Sequence, residues 1–566
     1  MPWARTTAIR TRVGRALGAA ERLAGTRRGA IVLVLAALAV YAFESWGWPL
    51  QAGRDLGVYL RYYAELGQAH PVFPWAMLSR TPVTPVVSGL LLSAGGGLFA
   101  EAVMGVLFAL SVLAWSAVAL TVGGRRAALL VAVALLVFPG YGGVFHELSS
   151  DAVYAAAFAA WAYLLTRAVE RRTFLAFACA GAWVGVLALT RPVNQALLLV
   201  ALLLLLVPGA WTLRVARAGV FAAAGALVLV AWAGVNDARY GGFTVARGGD
   251  ASIPFFRAFV TDRIVSPDNG PASRELAAAV HKHLLPLEPY RAYGITLHRF
   301  FTSGSARMEE DLISLSDRVF GWNTNYSVLG RAAREAVRHH PWTYTRGVAT
   351  SFWQEISRPL FVPEEVVHTG LPAGNGPGIT AGKTKVGGRQ LPKPSEGEPI
   401  PAAHQGDYVS TSDRHIREVW RSPIDHGVVF DDPRDQRRYV ALNARMGQLG
   451  SRLPSRGHSA WLHLQLNHAS KAFPPAWAWL LVGAVALALR RPRGWRAPLI
   501  LAVAAVFVLF VTVLGVYSVP EYAVPVVPSF VLLAGVGLFG RRTAARTVAS
   551  DVREPAPLRH GHPAGG

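Results

Sequence analysis

Two carboxylates set among guanidinium groups and phenols mark the stretch 52–67, AGRDLGVYLRYYAELG, which directly follows the first long apolar block at 30–48. Asp55 and Glu65 are the acids, Arg54 and Arg61 the bases, and Tyr59, Tyr62 and Tyr63 lie between them. A carboxylate can take the proton of an attacking hydroxyl or amine. An arginine can hold a phosphate through paired N–H donors. Read as a helix, the stretch puts Leu56, Tyr59, Tyr63 and Leu66 on one apolar-aromatic stripe. Such a helix belongs along a membrane interface, with Asp55 at its start on the boundary of water and lipid and Glu65 facing water.

Polar groups recur where later apolar blocks end. They are His146, Glu147 and Asp151, then Arg191 and Asn194, then Asp237 and Arg239, and finally Glu521 and Tyr522. Polar residues at membrane depth are costly and mark candidate sites. Carboxylates and arginines at one end of the spans fit a lipid-linked phosphate substrate. Each residue also has a plain structural reading. Asp55 can pair with Arg54 or Arg61 at the surface, and Asp151 can serve as a helix N-terminal acid. His146 and Glu147 can be ordinary loop residues. Arg191, before Pro192, can snorkel to the interface, and Glu521 can pair with an arginine of the long non-membrane region.

The elements that must position these residues follow from composition. Of 566 residues, 52% are apolar and 16% charged, and the apolar residues come in blocks. Several blocks reach the ~18–20 residues needed to cross a bilayer, so an all-α polytopic membrane protein is expected. The net charge of +22 is open to a nucleic-acid reading. The placement of the arginines gives a better account, and no nucleic-acid partner is expected. Cys179 is the single cysteine, inside an apolar block, which excludes an intrachain disulfide and a cysteine metal framework. The histidines at 281–283 and 339–340 lack a helical metal-ligand spacing. The chain has no P-loop and no dinucleotide Gly fingerprint; neither a metal nor a cofactor is expected.

Basic clusters set the topology. Residues 1–29 form a basic N-terminus, read as cytoplasmic and followed by an uncleaved anchor rather than a signal peptide. The module 30–235 carries a first outer loop at 49–101, in which the Pro- and Gly-containing run 83–98 is read as re-entrant or interfacial. Spans follow at about 102–122, 127–144, 149–166, 173–189, 193–208 and 218–235. This choice puts Arg125–Arg126, Arg167 with Arg171 and Arg172, and Arg214 with Arg217 on the inside. Residues 236–473 form an extracytoplasmic, mainly α domain with a mobile loop at about 370–407. Spans at about 474–489, 497–517 and 522–540 complete a total of about ten, and 541–566 is a cytoplasmic tail. Ala-, Arg- and Gly-rich usage suggests a GC-rich bacterial genome, and with the apolar spans the expected location is a bacterial plasma membrane.

In this order the motifs resemble the GT-C glycosyltransferases, and within them the bacterial relatives of protein mannosyltransferases and of the lipid A aminoarabinose transferase. The resemblance is carried by Asp55, Tyr59 and Ala64 in RDLGVYLRYYAELG, by RTPVTPVVSGLLL from Arg80, and by SSDAVYAAAFAAWAYLLTRA with Asp151. LALTRPVNQALLL with Arg191, NDARYGGF from Asn236, AAREAVRHHPWTYTRGVATSFW and YSVPEYAVPVVP continue it. The chain departs from the pattern at Glu521, where many relatives carry a base, and its first loop has no paired-acid motif. The resemblance implies a GT-C-type transmembrane module and a sugar transferred from a polyprenyl-phosphate donor to an extracytoplasmic glycan, lipid or protein acceptor. It implies Asp55 as catalytic base, Asp151 as an assisting or acceptor-positioning acid, and Arg191, Arg61 and Arg80 as candidates for the phosphate. Glu147, His146, Tyr59 and Tyr522 complete the candidate substrate-binding set. A transporter or flippase of lipid-linked sugars, or a non-catalytic assembly partner, would share the apolar spans and polar ends. A transporter more often shows repeated halves and broken helices at the midplane.

Overall fold

In hydrocarbon every backbone N–H and C=O must be satisfied within the segment, which leaves long apolar runs the helix as their solution. The computed structural model describes residues 18–540 except 69–70, 73, 288–289, 292–293, 454–456, 517 and most of 359–432. Among the described residues, five helices are long and apolar enough to cross a membrane: Val83–Gly123, Ser150–Arg171, Trp211–Tyr240, Ala460–Arg490 and Arg496–Gly515. Phe174–Thr190, Pro192–Leu206 and Val524–Phe539 are shorter apolar helices. The chain is a mainly helical, polytopic membrane protein. The tail 541–566, residues 1–17 of the basic N-terminus and most of the expected mobile loop 370–407 fall outside the described residues.

Several expected spans are subdivided. The run at 127–144 consists of two helices, Arg125–Leu136 and Pro139–Val144. Pro139 cannot donate into the preceding turn, so the first helix stops ahead of it. Pro192–Leu206 alternates between 3₁₀ and α turns. The run 83–98 and the span after it form one element, Val83–Gly123, interrupted at Gly96, whose φ of 70° and ψ of −164° are not helical. The part before the break is roughly 20 Å long at 1.5 Å per residue, short of the ~30 Å hydrocarbon core. Its freed carbonyls find a donor from far along the chain. Arg452 donates to Leu92 O and Ser93 O, both at 3.0 Å. Arg445, on the Pro433–Gly450 helix, does the same for Ala64 O at 3.0 Å, at the end of the Leu56–Glu65 helix. Cations at helix C-termini also complement the dipole.

The region beyond the membrane helices builds a second core. Phe255, Phe259, Leu276, Phe300, Leu312 and Leu329 are completely buried in it, separate from the core of the apolar bundle. AAREAVRHHPWTYTRGVATSFW forms a helix pair, Ser327–His339 and Pro341–Ser357. Among the described residues strands are few: the two-residue pair Gln51–Ala52 with Glu147–Leu148, a hairpin of Thr384–Val386 with Arg389–Leu391, and a three-stranded antiparallel sheet of Tyr408–Ser410, Ile416–Ser422 and Asp425–Phe430.

Candidate active site

A two-residue parallel bridge brings the first loop to the candidate site. Gln51 and Ala52 pair with Glu147 and Leu148, and Gln51 N–H donates to His146 O at 2.9 Å. The loop therefore lies against the start of the Ser150–Arg171 helix. Asp55 comes next, in a left-handed conformation with φ 63° and ψ 9°, at the start of the Leu56–Glu65 helix. A non-glycine residue there carries strain, which clusters at functional positions. Its Oδ2 meets Arg80 at 3.2 Å, and both side chains keep more than a third of their surface exposed. The partner of Asp55 is thus neither Arg54 nor Arg61. Arg54 pairs with Glu521 at 3.5 Å, which gives Glu521 an arginine partner in the first loop. Arg61 lies further along the Leu56–Glu65 helix and is half-buried.

The second half of the site is built on a helix hairpin. Ser150–Arg171 begins and Phe174–Thr190 ends at the same end of the bundle, which sets Asp151 beside Arg191. Arg191 forms an ion pair with Asp151, and its Nε and Nη2 each reach Ser150 Oγ at 3.3 Å. The guanidinium sits 5.3 Å from the ring centres of both Tyr154 and Tyr522. This geometry does not match a snorkelling arginine, which would carry its charge to open water.

Tyr59 and Tyr522 join the two halves. Burial raises the Tyr59 phenol, Asp55 adds to the shift, and Arg80, a hydrogen bond with Ser150 and Arg191 act against it. One phenol is therefore in electrostatic reach of both ion pairs. Asp55 holds the Arg80 guanidinium above its ordinary range, with burial opposing and Tyr59 and Tyr522 adding. Two arginines thus face two tyrosines between two carboxylates. Guanidinium groups beside phenol rings are residue types that can bind an anion, and a carboxylate with exposed surface can take a proton.

Other candidates lie deeper. Glu147 is buried and accepts from Gln51 Nε2 at 3.4 Å. Burial pushes its carboxyl well up, Glu521 and Asp151 add, and Gln51 and Arg54 oppose. His146 is wholly buried, stacked on Tyr41 at 4.2 Å and 3.6 Å from Glu44, so its ring packs against the Arg27–Glu44 helix. Among the described residues, no group of three His, Cys, Asp or Glu side chains is arranged to hold a metal ion.

Glu65 corrects the expectation that it faces water. It is 3% exposed and accepts the Val72 N–H. The buried positions of this helix also include Leu60 and Tyr62, whereas Leu66 is 40% exposed. The helix is covered from two sides, by the Val83–Gly123 and Pro433–Gly450 helices, so one apolar stripe does not describe it. The first of these can lie close because residue 89 is glycine: a Cβ there would stand 2.0 Å from the Tyr63 ring. Replacing Glu65 with Ala is expected to cost about 1–3 kcal/mol, the penalty for a buried donor left without its acceptor. It would be seen as a lower unfolding midpoint in detergent, and an unchanged midpoint would remove the structural role given to this bond.

The sequence left out Ser150, Tyr154 and Glu355 as site neighbours. Tyr154 was within reach, since it stands three residues after Asp151 on a helix and so shares its face. Glu355 is contributed by the Pro341–Ser357 helix, and its Oε2 accepts Ser518 Oγ at 2.6 Å and Val519 N–H at 3.2 Å. Burial pushes its carboxyl up to about 7 against the pull of Ser518, Val519, Arg358 and Arg191. No local signal in the sequence points to it.

No family model matches the chain, and no curated protein matches it. Among solved structures, it is similar to ArnT from Cupriavidus metallidurans bound to undecaprenyl phosphate, at 16% identity and a TM-score of 0.32, over 89% of this chain and 78% of that one. At that level the likeness carries no argument about the site, and the function has to be read from this chain's own residues.

Proposed function

We propose that this chain is an integral membrane glycosyltransferase that moves a sugar from a polyprenyl-phosphate donor to an extracytoplasmic hydroxyl or amine, with inversion. The observation that supports this most is the convergence of the Asp55–Arg80 and Asp151–Arg191 pairs on Tyr59 and Tyr522, at one end of the membrane helices. Arginines with aromatic walls suit a phosphate whose lipid tail lies in the bilayer. The accessible carboxylate of Asp55 suits an acceptor arriving from water.

In this reading Asp55 accepts the acceptor's proton as the acceptor oxygen or nitrogen attacks the anomeric carbon. The bond from that carbon to the phosphate oxygen breaks, and the electron pair leaves with the polyprenyl phosphate. Arg191 and Arg80 stabilise the charge that develops there. Asp151 holds Arg191 in place until the donor arrives. The 236–473 region binds the acceptor, a cell-envelope glycan, lipid or protein, and covers the site.

Donor profiling tests the function. Purified protein with membrane extract as acceptor source is given labelled polyprenyl-phosphate sugars one at a time. Consumption of one sugar class supports the reading, and indifference to every donor contradicts it.

The orientation has its own test. Single cysteines in the 122–126 and 490–496 loops, in a Cys179→Ala background, are expected to resist an impermeant thiol reagent in intact cells. A cysteine in a described loop of 236–473 is expected to react. Labelling of the 490–496 loop would invert the topology and put the site on the wrong side.

A further inference from the structure

The last carbonyls of a helix lack intrahelical donors, and those of Arg496–Gly515 are met by the region outside the membrane helices. Arg257 is completely buried and paired with Asp262 at 3.0 Å. Its Nη1 donates to Val513 O and, at 2.9 Å, to Val516 O. Tyr344 Oη donates to Leu514 O at 2.9 Å. Glu355 completes the series by accepting from Ser518 and Val519. Two to four residues further on come Glu521, paired with Arg54, and Tyr522, set against Arg191. The other oxygen of Glu355, Oε1, is buried and has no hydrogen-bond donor among the described residues. The carboxylate therefore spends its bonds on this connector alone, while the charge of Arg191 is close enough to act on it.

We propose that Glu355 is a positioning residue of the site: by holding Ser518 and Val519 it sets Tyr522 against Arg191, so that the extramembrane helix determines whether this cluster of arginines and tyrosines is formed. The cluster's role as donor-phosphate pocket rests on the function proposed above, whereas the latch itself does not.

The test is hydrogen exchange on the full-length protein in detergent, with and without a polyprenyl monophosphate. Glu355→Ala is expected to speed exchange in 516–526 by about 10-fold or more, from the loss of the two hydrogen bonds that Ser518 and Val519 donate to Glu355. The 150–190 hairpin should stay as in wild type. Glu355→Gln retains an oxygen able to accept from Ser518 and Val519, so it is expected to stay near wild type. Polyprenyl monophosphate is expected to protect 516–526 in wild type and in Glu355→Gln, and to bind about 10-fold more weakly to Glu355→Ala. Unchanged exchange of 516–526 in Glu355→Ala overturns the latch. So does a Glu355→Gln protein as loose as Glu355→Ala, because charge rather than positioning would then be at work. If Glu355→Ala fails to fold, Ser518→Ala removes one of the two bonds and is expected to loosen the same segment, and no loosening overturns the proposal. Faster exchange in Glu355→Ala together with no lipid protection in wild type leaves the latch standing and contradicts the donor reading.

Discussion

Asp55→Asn is expected to lower sugar transfer by ~10²–10⁴-fold, the usual contribution of a general base, while insertion and donor binding stay near wild type. The substitution keeps the size of the side chain and one oxygen that can face Arg80, which meets Asp55 at 3.2 Å. It removes the basic oxygen and the negative charge facing Arg80, but no helix cap, since Asp55 makes no side-chain cap to its own helix. Steady-state transfer with saturating donor checks this, with donor binding measured separately. Two other acids serve as controls. Glu147 is buried and bound to Gln51, so Glu147→Gln is expected to retain most activity. Asp151→Asn is expected to cost less than Asp55→Asn, because Asp151 acts through Arg191. Near-normal transfer by Asp55→Asn beside an inactive Glu147→Gln would move the base to the other carboxylate.

The second large effect is at Arg191. Arg191→Ala removes a charge-assisted phosphate contact worth ~1.5–3 kcal/mol, or about 10- to 150-fold, and the loss is expected as a higher KM for the donor. It also strands Asp151, 14% exposed, without its cation, which adds a folding cost that Asp151→Asn in the same protein should relieve. Arg191→Lys keeps the charge without the planar fork that spans Ser150 and Asp151, so partial recovery is expected. Donor titrations at fixed acceptor separate the cases, and an unchanged donor KM in folded Arg191→Ala would remove this residue from the phosphate.

Membrane helices and the polar residues at their ends are legible in the sequence because apolar length and cost at depth act locally. Asp151 and Arg191 can be named for that reason, although not their ion pair, which depends on a hairpin closing. The order of Arg80 after Asp55 is visible too, but not their ion pair, which joins residues far apart in the first loop and forms only when that loop folds back on itself. Glu65 is misjudged from sequence because helical periodicity assumes one wet face, and this helix is packed from two sides. His146 looks like a ligand at a span boundary, whereas stacking on Tyr41 turns it inward. Glu355 has no local signature, since its partners stand more than 160 residues away and meet it only in the folded chain.

Where the sugar ends up separates a transferase from a flippase that would use the same polar groups and the same lipid. In proteoliposomes loaded with one doubly labelled polyprenyl-phosphate sugar, tagged on sugar and lipid, together with membrane-derived acceptor, the two labels are tracked over time. Wild type is expected to part them, with free polyprenyl phosphate appearing in step with glycosylated acceptor, and Asp55→Asn is expected to leave them joined. Labels that stay together in wild type while the intact lipid-linked sugar moves between leaflets would contradict the transferase reading.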